Sequence, residues 1–325
     1  MSSPRIRRTL LAACVAVAAA TVAPTAAAWT DRPVRMVVPA PPGGTMDVVA
    51  RVLAEQLAAE LGQPVVVDNK PGGGGVIGIQ ALLQAPADGT TVMVTASNVL
   101  TEIPHVVTTP YDAMKDVRPI AAIARSTMVM VGAPSFAPAD LKAVIEHAKA
   151  NRGTVSFASY SAGTASQYAG MILAQKAGIE LTHVPFQGSP PGLQQVMGGH
   201  IPLMFDGIVT SLPLVNGNKI KAYAIASKTR SPYLPNVPTF AELGYPDMDF
   251  SNWIGVVASA QVPPALAARI NAAVLKAAAA PKLRDRLTAA GFEVGLTQSS
   301  DALAQAVRAE SERNAAIVRT FDIKL

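Results

Sequence analysis

Three features of the chain predict an α/β fold. Short apolar runs alternate with longer stretches in helical register, glycine and proline punctuate the joints, and half of the 325 residues are apolar while only 15% are charged. That much apolar surface can offset the entropy of ordering, which excludes intrinsic disorder. The length suggests roughly two domains, with a core large enough to need no disulfide staples. Strand–helix alternation of this kind predicts parallel sheet covered on both faces.

The first 28 residues read as an export signal. Met1 to Arg8 is short and basic, Leu10 to Ala23 is small and aliphatic, Pro24 breaks the run, and Ala26-Ala27-Ala28 supplies small residues for signal peptidase. This three-part pattern predicts cleavage, a mature chain starting near Trp29, and a periplasmic location reached by the Sec route. The segment also carries weaker marks of three alternatives: an uncleaved membrane anchor, a twin-arginine signal at Arg7-Arg8, and a lipobox at Leu11-Ala12-Ala13-Cys14. A lipobox closes its apolar run, whereas here most of the run follows Cys14. Cleavage removes Arg5, Arg7 and Arg8, leaving 24 basic against 22 acidic residues, and also the single cysteine. Disulfides, thiolate nucleophiles and cysteine metal sites are thereby eliminated. The remaining charges are scattered rather than clustered, so nucleic-acid binding is not supported.

In the mature chain Val34–Val38 is the first predicted strand. Val49, Leu53, Leu57 and Leu61 then recur every four residues and mark one face of a helix over Asp47–Leu61. Thr45 is the expected N-cap, Asp47 suits the first-turn dipole, and Gly62 stops the helix. A strand at Val65–Val67, a helix at Val76–Leu83 and a strand at Thr91–Thr95 repeat the unit. Further on, a strand at Thr127–Val131, a helix at Pro138–Asn151, a strand at Val155–Ala158 and a helix at Thr164–Ala177 are expected. Thr182–Pro185, Leu203–Phe205 and Ala222–Ala226 read as strands. The tail from Pro264 to Ile317 is helical, with a short strand at Phe292–Val294.

Two loops could hold a ligand. Pro39-Ala40-Pro41-Pro42-Gly43-Gly44-Thr45-Met46-Asp47 joins the first strand to the first helix. Its prolines stiffen the approach, its glycines admit close backbone contact, and a helix N-terminus offers unpaired amides to an anion. Ligands of open α/β sheets sit at the carboxyl ends of strands. Ser159-Tyr160-Ser161-Ala162-Gly163-Thr164-Ala165-Ser166 stands in the same strand-to-helix position and is rich in hydroxyls. As a nucleophile elbow around Ser161 it lacks the first glycine, and neither His183 nor His200 is marked as its base. Gly73-x-Gly75-x-x-Gly78 formally fits a dinucleotide fingerprint, but Asp68 to Pro71 intervene after the strand and no acid stands about 20 residues on. It reads as a glycine-rich loop on a cleft rim. His105, His147, His183 and His200 have no metal-type partners in helical spacing, and no Walker A sequence occurs, so neither metal nor cofactor is expected. Asp206 closes a strand, where it either caps the next helix or reaches a ligand. Trp253 reads as core or cleft wall.

At the level of whole motifs the chain resembles one family. Pro39 to Arg51, Gly62 to Gly72, Pro86-Ala87-Asp88-Gly89, Tyr111-Asp112, Lys115-Asp116, His183 to Ser189, Phe205-Asp206 and Arg230 to Thr239 are similar, in consistent order, to the Bug (TctC-like) periplasmic substrate-binding proteins of tripartite tricarboxylate transporters. The resemblance implies a two-lobed, type II-like α/β binding protein with parallel-rich sheets flanked by helices and a ligand cleft between the lobes. One lobe would comprise residues 29–128 plus 250–325, the other 129–249. It implies a carboxylate held by Pro42, Gly43, Gly44, Thr45 and Asp47 from one loop and Ser159, Ser161, Gly163 and Thr164 from the other, with Thr95, Ser97, Asn98 and Asp206 lining the remainder. Two helix N-termini would converge on one anion, and lobe closure would exclude water. The implied protein is not an enzyme, has no cofactor, and is a monomer. Its partners are a small organic carboxylate and either membrane transporter subunits (TctA/TctB-like) or a sensor kinase. Gln167, Gln187 and Met46 depart from the family pattern and favour a monocarboxylate or small dicarboxylate with an apolar body over a tricarboxylate.

Overall fold

The computed structural model describes residues 29–295, 299–320 and 323. The predicted leader, with Cys14, lies outside the described residues. Trp29 is buried, and its indole Nε1 donates to Gly89 O at 3.0 Å.

The chain opens as a parallel unit. β1 (Val34–Val38), α1 (Thr45–Leu61), β2 (Val65–Asn69), α2 (Val76–Leu83) and β3 (Thr91–Ala96) follow in order, and β1 pairs in parallel with both β2 and β3. α1 buries the row Val49, Leu53, Leu57 and Leu61 that the spacing marks, and Gly62 ends it in the left-handed region at φ 65°. Its N-cap is Gly44 rather than Thr45; Thr45 is the first helical residue. Two short helices, α3 (Asn98–Thr101) and α4 (Ala113–Asp116), lead to β4 (Val117–Gly132).

β4 ties the molecule together. It runs for 16 residues, where the sequence suggests a strand only over Thr127–Val131. Up to Thr127 it pairs antiparallel with β9 (Ser251–Ser259) and β10 (Glu293–Val294); from Met128 it pairs antiparallel with β7 (Leu203–Gly207) and β8 (Lys221–Ala226). Pro119 and the polar residues Arg118, Arg125 and Ser126 hide the strand from a periodicity reading. The ladder absorbs them through register shifts between Pro119 and Ala121 and between Ala122 and Ala124. β9 has no counterpart in the sequence reading, although Asn252-Trp253-Ile254-Gly255 runs through it. Gly255 is required there, because a Cβ would stand 2.1 Å from Ala121 O.

Beyond β4, α5 (Leu141–Ala150) is capped by Asp140, whose side chain accepts from Ala143 N at 2.8 Å. β5 (Ser156–Ser159), α6 (Ala165–Ala177), β6 (Thr182–Pro185), α7 (Ser189–Met197), β7, α8 (Ile208–Asn216) and β8 complete that side, where β5 pairs in parallel with β6 and β7. After β9 come α9 (Pro264–Ala279), α10 (Pro281–Ala289), β10 and α11 (Ser300–Thr320). The sheet order is β2-β1-β3-β9-β4-β7-β5-β6, with β8 and β10 also on β4. The expected parallel pairing therefore holds on both flanks, and the two central strands run against it. Phe157, Phe205, Phe240 and Tyr168 fill the core on the β5 side, and Trp253 is core beside Leu100 and Val257. Among the described residues no helix is long and apolar enough to cross a membrane.

Candidate functional site

A cleft of about 110 Å³ opens where the start of α1, the ends of β3 and β7, and the central strands β4 and β9 meet. The first loop builds one wall. Gly43 turns in the left-handed region at φ 78° and donates its N–H to Asp47 Oδ2 at 2.8 Å, and the Gly44 N–H goes to Pro41 O at 3.1 Å. That leaves the amides of Thr45 and Met46, for which no acceptor exists among the described residues, at the head of a 17-residue helix. Gly44, Thr45 and Met46 line the cleft; Pro42 and Gly43 are exposed and do not.

Asp47 faces away from the cleft. Its carboxylate also accepts from Arg51 Nε at 2.8 Å and from Asn69 Nδ2 at 2.9 Å, and Asn69 in turn donates to Ala40 O at 2.9 Å. Burial works against the charge, but the bonds from Arg51, Gly43 and Asn69 outweigh it and hold the carboxyl below its ordinary range. Asp47 braces the loop that presents the free amides.

The second loop is tied up internally. Gly163 donates to Gln167 Oε1 at 2.7 Å and accepts from the Tyr168 hydroxyl at 2.7 Å, while Thr164, the N-cap of α6, donates its hydroxyl to Ser161 O at 2.8 Å. The first amide of α6, on Ala165, goes to Glu102 Oε2 at 2.6 Å. The expected convergence of two helix N-termini on one anion is thus reduced to α1, since a carboxyl from beyond α3 already occupies α6. Of this loop, Tyr160 and Ser161 line the cleft.

Ser159 lies behind the cleft wall, fully buried, 2.7 Å from His183 Nε2. The pair is not an activated nucleophile. Ser159 gives its proton to Ser161 O at 3.0 Å, so the ring nitrogen must act as donor to Oγ. Burial against Phe157 pushes the imidazole down to about 4. Among the other candidates, Thr95 and Ser97 are buried and bonded to Ala96 O and Asn252 Oδ1, whereas Asn98 faces the cleft. Asp206 is fully buried and accepts from Thr210 at 2.6 Å and Ser211 at 2.9 Å; its burial drives the carboxyl up against those hydrogen bonds. Among the described residues no group of three or more His, Cys, Asp or Glu is arranged to hold a metal.

Residues 49–323 match the model of a family described as the tripartite tricarboxylate transporter family receptor. The chain belongs to that family. Three solved structures are similar over nearly their whole length. The periplasmic binding protein BugD is 31% identical, with a TM-score of 0.85 over 91% of this chain and 99% of that one. MatC from Rhodopseudomonas palustris, solved with bound malate, is 31% identical, with a TM-score of 0.83 over 89% and 99%. Rpa4515 of R. palustris, solved with adipate, is 28% identical, with a TM-score of 0.87 over 91% and 99%. The α/β binding-protein fold expected from the motifs is therefore correct, and the family is one of substrate-binding receptors of the periplasm.

Apart from Gln187 and its motif, the rest of this receptor's cleft was not legible in advance. Ser126, Thr127 and Met128 come from β4, Phe250, Asn252 and Ile254 from β9 and its approach, and Phe186, Gln187 and Ser189 from the β6–α7 turn. Gly72, Gly74 and Gly75 form a rim, as the glycine-rich loop suggested. None of the lining side chains is charged.

Proposed function

We propose that this receptor captures a small organic carboxylate in the periplasm and delivers it to the membrane subunits of a tripartite transporter, without catalysis. One observation carries the reading: the amides of Thr45 and Met46, at the positive end of α1, open into a cleft that has no charged side chain. A helix N-terminus binds an anion through oriented amides and its dipole, with no need for a counter-cation. The apolar walls of Met46, Met128, Phe186, Phe250 and Ile254 suit an apolar ligand body. The malate and adipate found in MatC and Rpa4515 support a carboxylate.

The lobes fall at residues 29–128 with 250–325, and at 129–249. The exchange of β4's partners at Met128 supports that division. A ligand touching both halves favours the closed form, because only differential affinity shifts such an equilibrium. A thermal-shift screen of mono-, di- and tricarboxylates tests the reading: a ligand at 100 times its Kd adds about 2.7 kcal/mol, and no response to any carboxylate overturns it.

A further inference from the structure

Two buried hydroxyls in the cleft wall make no hydrogen bond of good geometry. Ser126 Oγ and Tyr160 Oη are shielded from solvent, Tyr160 Oη has only the side chains of Thr164 and Asn252 near it without a well-formed bond to either, and both residues line the cleft. Buried polar atoms without partners are rare in folded proteins, and at a binding surface they point to a group that arrives with a ligand.

Their placement says where that group sits. A Cβ on Gly207 would stand 3.3 Å from Thr45 Oγ1 and 3.4 Å from Ser126 Oγ, so Ser126 faces the head of α1 across a glycine. Tyr160 reaches the same corner from the other side: its hydroxyl lies beside Asn252, the residue paired with Ser126 in the β4–β9 ladder. Ser126 Oγ therefore stands near the head of α1, and Tyr160 Oη closes the same cleft from beyond Asn252. An oxygen on the carbon adjacent to a bound carboxylate would meet them.

The same corner disfavours a second anion. No cation lines the cleft. A second carboxylate held there would have only neutral donors to offset its desolvation. The remaining wall is the apolar surface of Met46, Val99, Met128, Phe186 and Phe250.

Resting on the reading of the protein as a carboxylate receptor, we propose that its ligand is a 2-hydroxy or 2-oxo monocarboxylate with an apolar tail, selected by Ser126 and Tyr160. Calorimetric titration of the exported protein with 2-hydroxy-4-methylpentanoate, 4-methylpentanoate and malate tests this. The hydroxylated acid binds about tenfold tighter than its unsubstituted counterpart, the span of one or two net hydrogen bonds, and malate binds more weakly than the hydroxylated acid. In Ser126→Ala and Tyr160→Phe the hydroxyl preference falls to about threefold or less. Melting of both variants without ligand verifies their folding. Equal binding of the first two acids, tighter binding of malate, or a preference that survives in both variants overturns the proposal. Binding of other carboxylates with none of these three also overturns it, yet leaves the receptor reading standing. Silence from every carboxylate overturns both.

Discussion

Glu102 offers the sharpest test of the energetics. It is 4% exposed, and its carboxyl accepts from the Ala165 amide at the head of α6. Burial raises its pKa from an ordinary 4.5 to about 8; the Ala165 N–H opposes the rise, nearby Glu310 adds to it and Arg313 partly offsets it. The unfolded chain releases the proton near pH 4.5, whereas the folded chain keeps it until about pH 8. Stability from this group is thus complete below pH 4.5 and lost as pH rises through 8. At roughly 1.4 kcal/mol per pH unit the whole span is worth about 5 kcal/mol, an upper figure because Glu310 titrates alongside. Glu102→Gln keeps an oxygen to accept from Ala165 and removes the ionisation. Urea unfolding at pH 5, 7 and 8.5 should show the variant close to the parent at pH 5 and more stable by about 3 kcal/mol or more at pH 8.5. Parallel pH profiles would refute the reasoning. So would a variant that loses ground as pH rises, since that would make the ionised carboxylate at the helix terminus the stabilising species.

Four further outcomes follow from the same geometry. Asp47→Ala leaves the Gly43 amide without its acceptor, breaks the ion pair with Arg51 and reduces Asn69 Nδ2 to its bond with Ala40 O, and should cost about 2–3 kcal/mol in urea unfolding; it should also weaken capture of any carboxylate found in the thermal-shift screen. Gly207→Ala inserts a methyl between the hydroxyls of Thr45 and Ser126 and should lower ligand affinity about tenfold by calorimetry, with little change in the ligand-free melting temperature. Gly255→Ala drives a methyl into the Ala121 carbonyl and should destabilise by more than about 3 kcal/mol, read as a lowered melting temperature or loss of soluble protein. His183, whose pKa burial lowers from 6.5 to about 4, contributes stability that is present above pH 6.5 and is lost as pH falls through 4. His183→Gln should flatten that acid limb of the stability profile.

Local rules made the flanks of the fold and one wall of the site legible. The four-residue spacing of Val49, Leu53, Leu57 and Leu61 sets the buried face of α1, and the run of prolines and glycines before Thr45 sets the loop that leaves its amides open. The family motifs stand on these same local features, which is why they could be read without coordinates. Tertiary structure decided the rest. β4 and β9 are specified by their neighbours rather than by alternation: Pro119 and Gly255 are tolerated only because a bulge and a crossing carbonyl stand opposite them. Ser126 and Asn252 ride on those strands and Phe250 immediately precedes β9, so their place in the cleft was hidden with them. Asp47, Ser159, Thr164 and Asp206 carry the residue types of a binding site yet spend their hydrogen bonds on Arg51, His183, Ser161 and Thr210. A polar side chain near a loop can serve either the loop or a ligand, and only the positions of its partners determine which. Glu102 shows the converse. No motif surrounds it in the chain, and its role at the head of α6 exists only because the fold brings Ala165 within hydrogen-bonding distance.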